Sequence, residues 1–308
     1  MFLSRLLPHP SLTPRVVERM LQQYRIARQF QINLGYAGNF ANPTTYHEKV
    51  QFRKLYGNHE FYAGVADKVA VRHYVADRIG APYLKPLLGV FDDLTPEILE
   101  SLQRPYIIKV NNACKRHFIV RKGDRPDWQA VVAYFHGLRR QTYGRETGEV
   151  HYDQIPFKIM VERLLQEPDG SLPWDYDIWC FNTRAGFRHL QSLISPRDEK
   201  MAFDEDWNLL QGQLPLEQVQ ARIDPPRFGE ILRLARKLSA EFDFVRIDFN
   251  VVEDRIYFGE ITCTPGQGYT QITSERRLQL LTDLWELDSL NPRLYEAPRT
   301  HTPPTTRK

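Results

Sequence analysis

The 308-residue sequence has no apolar run that approaches the ~20 residues a membrane-spanning helix needs. Its opening, MFLSRLLPHPSLTPR, holds only a short apolar stretch broken by prolines. That excludes a signal-peptide core and predicts a cytoplasmic location, at most peripheral to the inner membrane face. Cysteine is scarce: Cys114, Cys180 and Cys263 are odd in number and scattered, which argues against a disulfide framework and against zinc-ligand spacing. None of the nine histidines is paired at i, i+4 and no G-x-S-x-G occurs, which disfavours zinc and serine-hydrolase chemistry. Charge of one sign is lacking too. The 41 Lys and Arg exceed the 38 Asp and Glu by three, a balance that suits an anionic substrate and falls short of a nucleic-acid partner. No internal repeat is present, and the Pro/Thr-rich end over 296–308 is too polar to order itself.

What is present is ample core material, 42% hydrophobic and 12% aromatic residues. Apolar residues recur three and four apart over Thr13–Phe30, Thr45–Tyr56 and Val65–Ile79, so residues 1–90 read as a lobe of half-buried helices, the last ending at Gly80 before an extended exit. Residues 91–165 alternate short β-rich runs, PYIIKV and HFIV, with a helix from Pro126 to Gln141, a small α+β unit. FKIMVERLL, YDIWCFN and FRHLQSLI follow as three strands of an antiparallel sheet. An amphipathic helix over Phe228–Phe242, two strands DFVRIDFNVV and RIYFGEIT, and a closing helix over Ser274–Leu287 complete a unit at 166–295. The fold class is α+β.

The pair of strands carries the chemistry. Period-two alternation puts Val245, Ile247, Phe249 and Val251 on one face and Phe244, Arg246, Asp248 and Asn250 on the other. In the second strand Ile256, Phe258, Glu260 and Thr262 share a face. A three-residue loop, Glu253 to Arg255, sets Asp248 opposite Glu260, whereas a two-residue loop separates them. Opposed carboxylates with Cβ atoms about 5 Å apart are unfavourable unless a cation or a shared proton relieves them. All-oxygen ligands, including the Thr262 hydroxyl, suit Mg²⁺. The plain alternative is a surface hairpin with outward acids. Arg246 on the same face and the turn Thr264-Pro265-Gly266-Gln267-Gly268 beyond it weigh against that alternative.

VRIDF and then IYFGEITCTPGQG resemble the R-x-D strand and the E-x-N-x-x-P-G strand of ATP-grasp ligases. The resemblance implies two α+β subdomains gripping ATP beside the N-terminal helical lobe, the first as a lid and the second as a core bearing the hairpin. It implies Asp248 and Glu260 as carboxylates holding Mg·ATP and Arg246 as the residue that steadies the acyl phosphate or substrate carboxylate. Thr262 stands where the family has Asn, and its hydroxyl can still coordinate Mg²⁺.

Asp67-Lys68 with Gly80-Ala81-Pro82 is similar to the family's D-K pair on a helix ending in G-[VIL]-P, which implies that Lys68 reaches phosphate; a solvated surface lysine is the alternative. Lys109, at the end of PYIIKV, takes the place of a second lysine before a glycine-rich loop, although here the loop reads Asn112-Ala113-Cys114-Lys115. FKIMVERLL is similar to the adenine-binding hinge strand, with Glu162 at its acidic position; a core strand ending in a Glu162–Arg163 ion pair is the alternative. LPWDYDIWCFN, with DKVAVRHYV and YLKPLLGV in the same order, resembles over residues 40–285 the branch linked to teichuronopeptide and other surface-polysaccharide biosynthesis. Asp177 replaces that branch's lysine, so Asp175 or Asp177 is left to meet ribose hydroxyls or the acceptor amine.

The implied reaction is ATP-dependent joining of a carboxylate on a saccharide to the amine of an amino acid or amino sugar, with polysaccharide-biosynthesis enzymes as partners. Two other readings stay open. Asp175-Tyr176-Asp177 is a D-x-D of the kind glycosyltransferases use, and the glycine-free loop is consistent with a catalytically silent binding module.

Overall fold

Helical periodicity near the start becomes four helices, α1 (Pro14–Leu34), α2 (Tyr46–Tyr56), α3 (His59–Ala66) and α4 (Val71–Ile79). The computed structural model describes residues 14–223 and 226–296. The opening segment through Thr13, and all of the 296–308 tail except Glu296, lie outside the described residues. Helix α2 differs from the half-buried helix expected, because nine of its eleven residues are buried. Most of its polar side chains tolerate burial because they find partners, the Tyr46 hydroxyl and Gln51 Oε1 excepted. Lys49 Nζ donates to the carbonyls of Thr282 and Trp285, both at 2.7 Å. Arg53, 1% exposed, donates to the carbonyls of Phe244 and Cys263 at 2.8 Å and pairs with Asp243.

The single helix expected over Val65–Ile79 is two. The Asp67 carboxylate accepts from the Val69 N–H at 2.8 Å and from Asn111 Nδ2 at 2.9 Å. Such local side-chain bonding competes with the helix and ends α3 there. After Gly80 the chain forms a short 3₁₀ turn over Ala81–Tyr83 in place of an extended exit.

Strand β1 (Leu87–Phe91) is followed by α5 (Pro96–Ser101), β2 (Tyr106–Val110), β3 (His117–Val120), α6 (Trp128–Leu138), α7 (Tyr143–Thr147) and β4 (Ile159–Arg163). The four strands form an antiparallel sheet in the order β1-β4-β2-β3. Ile108, Val110 and Val161 pack on Trp128, Val131 and Phe135 of α6. FKIMVERLL therefore belongs to this sheet and not to the sheet of YDIWCFN and FRHLQSLI. Its run of apolar residues, buried at Ile159, Met160 and Val161, reflects its central place between β1 and β2.

The second sheet has six antiparallel strands in the order β10-β9-β5-β6-β7-β8. They are β5 (Asp175–Thr183), β6 (Gly186–Ile194), β7 (Lys200–Phe203), β8 (Leu209–Gly212), β9 (Phe244–Val252) and β10 (Arg255–Thr262), with α8 (Leu216–Ile223) and α9 (Phe228–Ser239) between β8 and β9 and α10 (Glu275–Leu284) after β10. Val245, Ile247 and Phe249 face Ile231, Leu234 and Leu238 of α9. On the opposite face Tyr46, Trp179, Phe244, Leu281 and Trp285 form a second cluster that anchors α2 and α10. No helix among the described residues is long and apolar enough to cross a membrane.

Candidate active site

The hairpin departs from expectation twice, and the two departures compensate. Its turn is a two-residue one, Glu253-Asp254, with both residues in the left-handed region at φ 47° and 62° and with Arg255 paired to Val252. On its own that register would separate the carboxylates. The register shifts between Phe258, paired with Phe249, and Ile261, paired with Ile247, so Gly259 and Glu260 together oppose Asp248 in a β-bulge. The bulge also reverses which residues face inward. Ile256 and Phe258 pack in the α9-side core before it, and Ile261 and Cys263 after it, leaving Glu260 and Thr262 on the Asp248 face. The shared face expected for Ile256, Phe258, Glu260 and Thr262 is thus broken between Phe258 and Glu260.

Across β9 the row continues: Asp248 pairs with Asp177 on β5. Arg246 ties the two strands together, donating to both Asp248 oxygens at 2.7 Å, lying 3.5 Å from Asp177, and donating to the Thr262 hydroxyl at 3.2 Å. Burial pushes the Asp177 carboxyl up to about 6 against the pull of Arg246, and burial raises the Asp248 carboxyl as well. Asp175, two residues back, accepts from Asn250 Nδ2 at 2.5 Å. The D-x-D pair is therefore drawn into the carboxylate group of the hairpin.

The cations come from the helical lobe, from the segment before β1 and from β2. Lys68, Arg72, Lys85, Lys109, Glu162, Gly259 and Glu260 line one cleft between the two sheets. Glu162 is clasped by Lys109 at 3.0 Å and by Arg72 at 2.9 Å, and these contacts hold its pKa down despite burial. Arg163 instead donates to Gln103, which corrects the Glu162–Arg163 pair weighed from sequence. Lys68 Nζ stands 4.0 Å from Glu260 and donates to the Ala113 carbonyl at 2.9 Å. Lys85 and Arg72 were missed in the sequence. Burial, with Lys109 alongside, draws the Lys85 pKa down to about 8 although Glu162, Asp175 and Asp248 favour its charge. Its signal was a lone charge inside the apolar run YLKPLLGV; Arg72 had none, since its partner lies far along the chain.

The loop after Lys109 turns without glycine because Lys115 takes the left-handed conformation itself, at φ 56°. Cys114 at its tip lies 3.8 Å from Glu260 Oε1 and 3.4 Å from the Tyr152 hydroxyl, and burial lifts its thiol pKa to about 11.

The residues present fit Mg²⁺. Two opposed carboxylates with Asp177 adjacent put more negative charge in one place than Arg246 neutralises, and every available donor is an oxygen. Among the described residues no group of three or more His, Cys, Asp or Glu is placed to hold a metal ion by itself.

Residues 48–285 match the family described as TupA-like ATPgrasp. Among curated proteins none matches the chain. Of solved structures, it is similar to D-alanine-D-alanine ligase from Helicobacter pylori, at 16% identity over 71% of this chain and 61% of that one, with a TM-score of 0.43. It is also similar to D-alanine–D-alanine ligase from Bacillus anthracis complexed with ATP, at 11% identity over 92% and 95% of the two chains and a TM-score of 0.44. The chain thus spans less than two thirds of the Helicobacter pylori ligase.

Proposed function

Because this chain belongs to the TupA-like ATP-grasp family, we propose that it is an ATP-dependent carboxylate–amine ligase. The observation that carries this reading is the bulge that sets Glu260 opposite Asp248 and at the wall of a cleft that Lys68, Lys85 and Lys109 also line. In this reading β1 and residues 91–165 act as lid, 166–295 as core and helices α1–α4 as supporting lobe, the lid beginning at Leu87 because β1 pairs with β4. A carboxylate oxygen of the substrate attacks the γ-phosphorus of ATP, ADP leaves, and the acyl phosphate that forms loses phosphate when an amine attacks its carbonyl carbon.

Asp248 and Glu260, helped by Thr262, would hold Mg²⁺, which supplies charge neutralisation to the transferring phosphoryl group. Lys68 and Lys109 exchange their contacts with Glu260 and Glu162 for phosphate oxygens, and Glu162 is left to orient the adenosine end. Arg246 is held flat against Asp248 through Nε and one terminal nitrogen, so its other terminal nitrogen is directed to the reacting carboxylate. The barrier falls through positioning and charge, with little demand for a general base. Asp175 or Asp177 meets the incoming amine.

The finer assignment, a uronic acid or amino-acid substituent of a bacterial surface polysaccharide joined to an amino acid or amino sugar at the cytoplasmic side of the membrane, is supported by the sequence LPWDYDIWCFN and the order of the motifs around it. The test is incubation with Mg·ATP and a panel of uronates and amino acids, following ADP, phosphate and amide. Amide together with stoichiometric ADP is expected. UDP release from a UDP-sugar without ADP would overturn the reading in favour of a glycosyltransferase, and ATP binding without turnover, unchanged by Asp248→Asn, in favour of a silent module.

A further inference from the structure

Helix α10 opens on Ser274, whose hydroxyl accepts from the Arg277 N–H at 3.2 Å, and places Arg276 and Arg277 in its first turn. The positive end of a helix disfavours cations. Arg276 is accounted for, since it pairs with Asp204 at 3.1 Å. Arg277 is not: among the described residues its guanidinium has no acid partner, donates to the neutral Gln211 at 3.2 Å, and lies over the Trp179 ring at 5.3 Å.

Trp179 is the strand partner of Arg246, so Arg246 and Arg277 flank the same ring on the face that carries Asp177 and Asp248. Burial disfavours the charge of Arg277, Tyr46 and Asp177 favour it without an ion pair being made, and Arg246 works against it. Tyr46 closes the arrangement. It is 2% exposed, its ring centroid is 6.1 Å from that of Trp179, and its buried hydroxyl has no hydrogen-bond partner among the described residues. A buried hydroxyl left unpaired beside two guanidinium groups is costly unless an acceptor completes it.

We propose that Arg277 and the Tyr46 hydroxyl, beside the terminal nitrogen of Arg246 that Asp248 does not engage, form a receptor for a carboxylate group of the substrate, lying beyond Asp248 and Glu260 on the face of the six-stranded sheet. The proposal rests on the ligase reading and deepens it by making Arg277 the specificity-determining residue for an acidic substrate. A carboxylate presents two oxygens to the planar guanidinium fork and a lone pair to the hydroxyl, whereas an amide turns a donor towards donors. A uronate and the α-carboxylate of an amino acid share this chemistry.

The test is titration calorimetry on the full chain with Mg²⁺ and ADP, comparing glucuronate with glucuronamide and L-alanine with L-alaninamide. At least one pair should show an approximately tenfold or greater preference for the carboxylate, and the pair that shows it identifies the source. Arg277→Gln should reduce that preference to within about twofold, and Tyr46→Phe, which keeps the ring, should reduce it about threefold or more. Arg277→Lys should retain part of it, since the charge remains without the fork. A wild-type protein that distinguishes neither pair, or Arg277→Gln and Tyr46→Phe proteins that discriminate as well as wild type, overturns the proposal. The readout needs no turnover, so absence of ADP formation would count against the ligase reading and leave this test standing.

Discussion

A Cβ placed on Gly259 would stand 2.9 Å from the carbonyl oxygen of Asp248. The close approach is how two residues of β10 oppose one of β9, so the glycine belongs to the site although it carries no side chain. Gly259→Ala is expected to cost about 1–3 kcal/mol through overpacking and to displace Glu260. Chemical denaturation measures the first effect and Mg²⁺-dependent ATP binding the second; retention of full Mg²⁺ dependence would show that the bulge does not set the site.

The raised Asp177 carboxyl gives a pH signature. Its folded value of about 6 lies above the ordinary carboxylate value of ~3.9, so the folded chain holds the proton more tightly. Stability from this group is complete below the unfolded value and is lost as pH rises through about 6. Asp177→Asn should therefore gain stability relative to wild type between about pH 4 and 7, read from melting curves across that range. Mg·ATP affinity should weaken below about pH 6 in wild type and flatten in Asp177→Asn.

Lys109 is expected to move from Glu162 to phosphate. Lys109→Ala should weaken ATP about 10- to 100-fold, the range for a lost charge-assisted hydrogen bond, with a smaller effect on the carboxylate substrate. Competition against a fluorescent ATP analogue checks this, and an unchanged ATP affinity would leave Lys109 with the structural role of clasping Glu162.

Arg53 is buried against Asp243 and two carbonyls, with its guanidinium over the Trp285 ring at 4.5 Å. Arg53→Met leaves Asp243 without its guanidinium and should cost about 3–5 kcal/mol. Because the carbonyls belong to Phe244 and Cys263, which flank the hairpin, the loss should be accompanied by weaker Mg·ATP binding, measured on the folded fraction.

Much of this site was legible because alternation along β9 fixes which side chains face together: Arg246 and Asp248 required nothing beyond period two. The opposition of Asp248 and Glu260 was reached through the wrong loop. The bulge shows in the sequence only as a one-residue slip of the apolar alternation, from Ile256 and Phe258 to Ile261 and Cys263, with the glycine beside the glutamate. The partners of Glu162 were illegible for a different reason, since Arg72 arrives from a helix and Lys109 from a neighbouring strand. The polar burial of α2 was hidden too, because Lys49, Arg53 and Lys54 look like a solvated stripe until the carbonyls they meet are known. Strands β7 and β8 escaped because each is a four-residue piece at the far edge of the sheet, too short for alternation to stand out.

The bulge at Gly259 sets the final step of the register between Asp248 and Glu260, and the tip at Glu253-Asp254 is exposed and four ladder pairs away from it. The tip is thus an insertion point. A fluorophore-bearing peptide or an affinity tag spliced between those two residues would report from the strands that carry Asp248 and Glu260 while the ladder below it stays in place, giving the protein a handle for following ligand binding in solution.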